Sequence, residues 1–179
     1  INNNIVTAHC PNTGSMMGLL KKGNKVWLSE SDNPKRKLKF TLQMITEKNQ
    51  KVGINTHLTN KIIHDALINK KIKVFKNAET IKTEVKFGTN TRFDFLIING
   101  MQKTFIEVKN VTLSRINGIA EFPDAVTTRG HKHLNELIKA SQKGYEIFIL
   151  YLIQREDCSK FKIAKDIDPI YYKLLQKAV

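Results

Sequence analysis

The chain has 179 residues and a formal net charge of +14 at pH 7, from 30 Lys and Arg against 16 Asp and Glu. Its hydrophobic fraction of 41% supports one ordinary domain, or one with a small companion, and argues against intrinsic disorder. The longest apolar run, residues 147–153, is far shorter than the roughly 18 to 20 residues of a membrane span. Two cysteines are too few for a disulfide framework, which favours a reducing, cytoplasmic location with no membrane partner.

The positive charge has two explanations. Lys and Arg gain affinity for nucleic acid because they release condensed counterions from its phosphates. Lysine is much commoner here than arginine, however, and asparagine and isoleucine are also abundant. All three have A/T-rich codons, so a biased genome would raise the lysine content without any selection for binding. Charge alone therefore does not identify the partner.

The first third of the chain predicts short strands separated by turns, with no helix. Strands are predicted at residues 5–9, 25–29, 38–44 and 52–55, with turn-forming residues at 11–18, 32–34 and 48–50. Such a pattern is typical of a small barrel or an open antiparallel sheet. We therefore predict an N-terminal β domain over residues 1–54.

The rest of the chain predicts a mixed α/β domain over residues 55–179. Its first helix carries apolar residues from Leu58 to Leu67 and begins at an N-cap, Asn55 or Thr56. We then predict strands at 81–87, 92–98 and 104–109, followed by a looser stretch at 112–127. Next come a helix capped by Thr127 or Thr128 and ended by Gly144, and a strand at 147–153 buried on both faces. A last helix begins at Asp168-Pro169.

Strand alternation singles out one acid in this domain. In the strand 92–98, period two places Asp94 on the same face as Arg92. It places Phe93 and Phe95 together on the opposite face. An acid between two buried phenylalanines has a fixed position, so Asp94 is a candidate functional residue.

The next strand supplies two further candidates. Glu107 and Lys109 share one face, and a tight turn at Asn99-Gly100 sets Glu107 beside Asp94 on a hairpin. Two carboxylates hold a hard Mg²⁺ or Mn²⁺ ion through oxygen. The ion activates water and polarises phosphate, while a lysine orients that water or stabilises developing charge. The pattern therefore matches divalent-metal phosphodiester hydrolysis.

A structural explanation of the same residues stays open. Glu84 begins a second acid-x-Lys tripeptide, so this spacing is not specific by itself. Asp94 and Glu107 can instead form ordinary ion pairs with Arg92 and Lys109. For Glu84 a surface acid is the favoured interpretation, although its strand neighbours the other two and can add a third carboxylate to the metal site.

Two basic segments are candidates for contacts with nucleic acid. Arg129 and Lys132 lie at a helix N-terminus, where free N–H groups and the helix dipole favour phosphate. The triplet Lys35, Arg36 and Lys37 precedes a long alternating strand, and with Trp27 or Phe40 it can follow a nucleic-acid backbone. The alternative for both segments is an ordinary solvated charge run.

Histidine and cysteine do not predict a metal site. His131 and His133 are two positions apart on a helix, so they point about 200° away from each other and make a poor zinc pair. Cys10 has His9 beside it but no second pair of ligands. We expect Cys10 to be a buried free thiol.

A series of segments in chain order resembles the sugar fermentation stimulation protein (SfsA) family. The segments are residues 9–14, 31–37, 52–56, 84–88, 92–95, 107–113 and 122–134. The resemblance implies an α/β (α+β) protein with a small N-terminal OB-like β-barrel and a mixed-sheet domain, flanked by helices, like the PD-(D/E)xK nucleases. It also implies a chain that begins after the family's first strand and stops before its final strands.

The resemblance carries the nuclease motif onto Asp94, Glu107 and Lys109, with Glu84 and Arg129 as neighbours of the site. Phe93 stands where the nuclease superfamily nominally has proline. The family is described as DNA-binding, bacterial or archaeal, cytoplasmic, and a possible regulator of sugar, notably maltose, metabolism.

Two functional hypotheses follow. In the first, a sequence-nonspecific DNA-binding protein hydrolyses phosphodiesters with Mg²⁺ or Mn²⁺ held by Asp94, Glu107 and the Val108 carbonyl, with Lys109 on the water and Arg129 on phosphate. In the second, a non-catalytic DNA-binding regulator of sugar metabolism uses the nuclease fold as a clamp. Arg92 and Lys132 contact nucleic acid in both. Two acids facing a polyanion need a metal to neutralise them, which favours the first hypothesis.

Overall fold

A computed structural model describes residues 1, 4–89 and 91–179. The strands are β1 (Ala8–His9), β2 (Val26–Glu30), β3 (Phe40–Glu47), β4 (Gln50–Gly53), β5 (Thr80–Phe87), β6 (Thr91–Asn99), β7 (Gln102–Val111), β8 (Leu113–Ile116), β9 (Ile119–Phe122), β10 (Glu146–Ile153) and β11 (Lys160–Ile163). The helices are α1 (Thr59–Ile68), α2 (Thr128–Gln142) and α3 (Pro169–Ala178), with 3₁₀ turns at Thr56–Leu58 and Lys73–Phe75.

The chain forms two compact units. The first consists of Ile1–His57, Val111–Asp124 and Ile153–Lys162, and the second of Leu58–Asn110, Ala125–Leu152 and Ile163–Val179. The first unit thus takes in two segments from beyond residue 54, whereas the sequence suggested an uninterrupted division at that point.

The first unit contains a four-stranded sheet built around β3. One edge of β3 pairs with antiparallel β2, and the other pairs with β1 at its start and antiparallel β4 at its end. The predicted strands are confirmed, but β1 runs parallel to β3, so the sheet is mixed rather than antiparallel. Its core is a cluster of buried apolar residues, namely Met16, Leu19, Ile45, Val52 and Ile54.

A second, three-stranded sheet in the first unit has the order β11-β9-β8. The loose stretch predicted at residues 112–127 is therefore wrong in part, since it contains the antiparallel hairpin of β8 and β9. Gly118 turns this hairpin with a φ of +75°. Both strands have only four residues, and charged Arg115 and Glu121 interrupt their apolar pattern, so periodicity alone does not reveal them.

The second unit consists of a four-stranded sheet with a helix packed on each face. The strand order is β10-β7-β6-β5, and β5, β6 and β7 are antiparallel neighbours. Ile63 and Leu67 of α1 pack on one face, in a cluster with Phe95, Ile97, Ile106 and Val108. Leu137 and Ala140 of α2 pack on the other face, in a cluster with Phe87, Phe93, Leu96 and Phe105.

Three sequence predictions are corrected by this architecture. The strand at 147–153 is not buried on both faces, because β10 ends the sheet and none of its residues is fully buried. Asn55 accepts a hydrogen bond from the His57 N–H, so it caps the 3₁₀ turn, while α1 begins at Thr59 without a side-chain cap. Cys10 is exposed rather than buried.

The other helix starts agree with the sequence. Thr127 caps α2 by accepting a hydrogen bond from the Gly130 N–H, and Asp168 caps α3 with Pro169 in its first turn. Among the described residues, no helix combines the length and apolarity needed to cross a membrane.

Candidate active site

A kink in two neighbouring strands shapes the candidate site. Phe93 packs with the α2 cluster and Phe95 with the α1 cluster, although residues two apart on a regular strand face the same side. On β5, Ile81 and Val85 change sides in the same way, and Glu84 between them has a φ of +52°. The prediction that Phe93 and Phe95 share a face is therefore wrong, because strict alternation does not anticipate the kink.

Asp94 lies at this kink and bonds to two other elements. Its Oδ2 accepts a hydrogen bond from the Val108 N–H at 2.7 Å, and its Oδ1 accepts one from the Asn60 amide of α1 at 2.6 Å. The pairing of β6 with β7 extends only as far as Phe95 and Ile106. The Asp94 carboxylate thus supplies the acceptor that Val108 would otherwise find in the neighbouring backbone, and its position is fixed.

Glu107 lies on β7 and is almost completely buried, at 3% exposure. Its Oε1 accepts a hydrogen bond from Lys109 Nζ at 2.7 Å and another from His133 Nδ1 of α2. Its Oε2 is buried and has no hydrogen-bond partner in the part of the chain that the structure describes. Since buried carboxylate oxygens are normally paired, this atom is available to accept from water or to coordinate a cation.

The two acids have pKa values displaced in opposite directions. Burial and the neighbouring charge of Glu107 raise the pKa of Asp94, and hydrogen bonds from Val108 and Asn60 offset only part of that effect. Burial would also raise the pKa of Glu107, but the hydrogen bond from His133 and the charge of Lys109 outweigh it and lower that pKa. The pair therefore concentrates negative charge in a desolvated position, which a cation relieves.

The position of α2 depends on Asp168. Its carboxylate accepts hydrogen bonds from the Thr127 N–H and the Tyr171 N–H, both at 2.9 Å, and it also pairs with His131 Nε2. One buried side chain thus holds the first turns of α2 and α3. Gly130 leaves room for these contacts, because a Cβ there would lie 2.7 Å from Cγ2 of the capping Thr127 and 3.2 Å from the Tyr171 ring. These contacts fix the helix that directs His133 toward Glu107.

The sequence-predicted acids do not all converge. Glu84 is exposed, and its carboxylate lies 3.8 Å from the Arg92 guanidinium. Among the described residues, no group of three or more His, Cys, Asp or Glu side chains could hold a metal ion. Asp94 and Glu107 thus form a two-acid centre with Lys109, and Glu84 as a third ligand stays a prediction.

The predicted phosphate-binding residues lie at the surface. Arg92, Arg129 and Lys132 are exposed on the second unit. Lys35, Arg36 and Lys37 are exposed in the loop between β2 and β3 of the first unit. Their roles on nucleic acid stay predictions.

Sequence reasoning missed two members of the site, Asn60 and His133. Asn60 sits in the first turn of α1, where nothing in the local pattern distinguishes it from a surface residue. His133 gave a usable signal, since it shares the buried stripe of α2 with Gly130, Leu134 and Leu137. A histidine on an apolar helix face needs a buried partner, and here that partner is Glu107.

Comparison with known proteins places this site in a family. A family model described as the sugar fermentation stimulation protein RE domain matches residues 57–179, and one described as the SfsA N-terminal OB domain matches residues 1–54. A sugar fermentation stimulation protein homolog from Pelagibacter ubique is 57% identical over 173 residues, which cover 97% of this chain and 75% of that protein. A homolog from Roseobacter denitrificans is 45% identical over 175 residues, 97% of this chain and 74% of its own.

A solved structure shows the same fold. The structure of Pyrococcus furiosus SfsA in complex with Ca²⁺ matches with a TM-score of 0.89 at 27% sequence identity, over 99% of this chain and 75% of that one. The expected mixed α/β class with an N-terminal OB domain is confirmed. This chain belongs to the sugar fermentation stimulation protein family.

Proposed function

We propose that this chain binds DNA without sequence preference and hydrolyses phosphodiester bonds with a divalent metal ion at Asp94 and Glu107. The observation that carries the proposal is Glu107 Oε2, a buried carboxylate oxygen without a partner among the described residues, beside the half-buried acid Asp94. Buried structural carboxylates usually have both oxygens paired, so this oxygen is available to a cation.

The donor set fits a hard cation. Mg²⁺, Mn²⁺ and Ca²⁺ all prefer oxygen ligands, and the charge between Asp94 and Glu107 favours any of them. The Pyrococcus furiosus relative is described in complex with Ca²⁺, which supports a divalent-metal site here. The Val108 carbonyl and Glu84 are the candidates for further ligands. When bound, such an ion polarises phosphate and lowers the pKa of a coordinated water.

The residues of this chain have separate tasks in the proposed reaction. Asp94 and Glu107 are held by hydrogen bonds from Asn60, Val108 and His133, so they are preorganised before metal or DNA arrives. Lys109 Nζ donates to Glu107 Oε1, and from that position it can turn to donate to the attacking water or to a phosphate oxygen. A fixed positive charge at this point stabilises charge that develops in the transition state.

The proposed DNA binding rests on the positive net charge and on exposed basic and aromatic side chains. The net charge of +14 favours a polyanion, and exposed Arg129 and Lys132 lie at the start of the helix that carries His133. In the first unit, Lys25 stands over the Trp27 ring at 5.4 Å. Trp27 also lines a groove of about 650 Å³ whose other side chains are uncharged, so Lys25 beside the ring would supply the cation. Cationic side chains and an aromatic surface are what single-stranded nucleic acid requires.

The test is incubation of the purified protein with single-stranded, duplex and branched DNA, with Mg²⁺, with Mn²⁺ and with chelator. Asp94→Ala should abolish metal-dependent cleavage and Lys109→Ala should lower it about 100-fold, and both variants should retain DNA binding. Lys139→Ala is the matched control, because Lys139 is an exposed lysine on α2 that pairs with Glu136. Binding to DNA without metal-dependent cleavage of any substrate would contradict the proposed nuclease activity and support the alternative, a non-catalytic DNA clamp.

A further inference from the structure

We infer that His133 is the residue that positions Glu107 for the metal, by holding Oε1 so that Oε2 faces the ion and Lys109 is free to leave. The inference rests on the proposed function and names a residue that the nuclease motif does not contain. It concerns orientation of a ligand, not contact with the reacting atoms.

The hydrogen bonds on Glu107 are unevenly distributed between its two oxygens. Lys109 Nζ and His133 Nδ1 both donate to Oε1, so that oxygen has a donor for each of its lone pairs. Oε2 is buried without a partner in the described part of the chain. A carboxylate held through one oxygen presents the other in a fixed direction, which is how outer-shell partners orient metal ligands.

The two donors are similarly buried, with side-chain exposures of 12% for Lys109 and 11% for His133, but their side chains differ in flexibility. His133 lies in the buried face of α2 with Leu134 and Leu137, so its ring is locked. Lys109 carries its ammonium on a flexible four-carbon stem. Because a carboxylate oxygen can only accept, the histidine donates to Oε1 through its Nδ1 proton. His133 is therefore the permanent donor and Lys109 the movable one.

This difference between the two donors lets Lys109 leave Glu107 with little loss of stabilisation of the carboxylate. A buried carboxylate that lost its only donor would be left as an uncompensated charge, which is strongly unfavourable. Because His133 remains on Oε1, Lys109 can turn to water or phosphate while Glu107 keeps a partner. His133 thus holds the Glu107 carboxylate in place, and Lys109 stays available for the proposed reaction.

The first experiment measures the Kd for Mn²⁺, without DNA, by calorimetry and by the electron paramagnetic resonance signal of free Mn²⁺. His133→Leu should weaken binding about 10- to 100-fold, the effect of losing an outer-shell partner. The Kd of His133→Asn for Mn²⁺ should stay within about threefold of the parent value, because its amide nitrogen takes the place of Nδ1 and still donates to Glu107. Lys139→Leu is the control, because Lys139 lies on the same helix but is exposed and pairs with Glu136.

The outcomes separate the two proposals. If the parent protein binds no Mn²⁺, the proposed metal site is wrong and the inference falls with it. If the parent protein binds and His133→Leu binds equally well, only the inference is overturned. Should His133→Leu fail to fold, the comparison of His133→Asn with His133→Gln decides, since glutamine places its nitrogen at the Nε2 position, and equal affinities of these two variants would contradict the role.

A double-mutant cycle tests the release of Lys109. Lys109→Met should leave the Mn²⁺ affinity unchanged or raise it while His133 is present, because Oε1 keeps one donor. In the His133→Leu background the same change removes the last donor, so affinity should fall at least about fivefold further. Additive effects in the cycle would show that the two donors act independently and would overturn this part of the inference.

Discussion

Two nearly inaccessible glutamates, one in each compact unit, show how differently the same side chain is used. Glu121 in the first unit has both oxygens paired: Arg115 donates to Oε2 from its backbone N–H at 2.9 Å and from Nε at 3.0 Å, and its Nη2 reaches Oε1 at 2.8 Å. Lys162 adds an ion pair at 3.2 Å. Glu107 in the second unit has two donors on one oxygen and none on the other among the described residues.

The difference separates a stabilising acid from the proposed metal ligand. Hydrogen bonds from Arg115 outweigh burial and hold the pKa of Glu121 at about 2, below its ordinary 4.5. A fully paired carboxylate of this kind contributes to stability, whereas an unpaired buried oxygen costs free energy unless something binds it. The lesson is that the distribution of partners over the two oxygens, rather than burial, separates these two glutamates.

The largest expected effect comes from Glu107→Gln. Cleavage of DNA should fall about 1,000-fold, the range for loss of a group that stabilises charge in the transition state. The free energy of unfolding should change by less than about 1 kcal/mol, because the amide oxygen can still accept from His133 and Lys109. Single-turnover cleavage rates test the expected loss of activity, and urea denaturation tests the expected stability. A large loss of stability would place Glu107 with Glu121 as a structural acid.

Lys109→Met should lower the cleavage rate about 100-fold while metal binding and DNA binding persist, because it removes the movable donor but leaves both acids in place. The measurement is the cleavage rate at saturating Mn²⁺, beside a filter-binding or anisotropy titration with DNA in chelator. Lys139→Met serves as the control for loss of a surface lysine. A parallel loss of metal affinity would show that Lys109 shapes the site rather than acting in the reaction.

Glu121→Gln should reverse this pattern. We expect the free energy of unfolding to fall by about 2 kcal/mol at pH 7, less than the pKa shift alone implies, since Arg115 and Lys162 are partly open to solvent screening. Cleavage by the folded variant should match the parent protein. Denaturant titrations and cleavage assays at 25 °C test this expectation. A loss of activity in Glu121→Gln would contradict the distinction between the two glutamates.

Acid should remove the contribution of Glu121 in a defined range. A folded-state pKa of about 2 against an ordinary 4.5 means that the stabilisation is complete above about pH 4.5 and is lost as pH falls toward 2. The difference in unfolding free energy between the parent protein and Glu121→Gln should shrink over that interval. A difference that stays constant from pH 7 to pH 2 would show that Glu121 does not titrate with a depressed pKa.

The smallest effect is expected at the surface. Replacing Lys35, Arg36 and Lys37 together by alanine should weaken DNA binding about 10-fold near physiological salt and lower the salt slope by about 2, since each phosphate contact contributes roughly 0.7 to 0.9. The intrinsic cleavage rate at saturating protein should not change. A matched triple change of Lys70, Lys71 and Lys73, which are also exposed, tests whether net charge alone explains the loss.

The sequence supplied much of the candidate site, but not its fine geometry. Asp94, Glu107 and Lys109 follow from strand alternation and a tight turn, and the structure brings them together on neighbouring strands. The kink at Asp94 breaks that alternation, because the side chain takes the place of a backbone acceptor for Val108. Such a kink depends on contacts across three strands and leaves no local mark.

The remaining misses have the same cause. His133 carried a sequence signal, a polar residue in a buried stripe, but its partner lies on a strand far away in the chain. The hairpin of β8 and β9 depends on Glu121, which is buried only because Arg115 and Lys162 pair with it. Local patterns predict elements well when one face is uniformly apolar, and fail where an ion pair occupies that face.

The central claim is that the unpaired oxygen of Glu107 is a metal ligand, and the most direct test is calorimetric titration of Mn²⁺ into three proteins. The parent protein and Glu121→Gln should bind Mn²⁺ with the same affinity, and Glu107→Gln should show no binding at the same concentrations. Equal binding by Glu107→Gln and the parent protein would contradict the account.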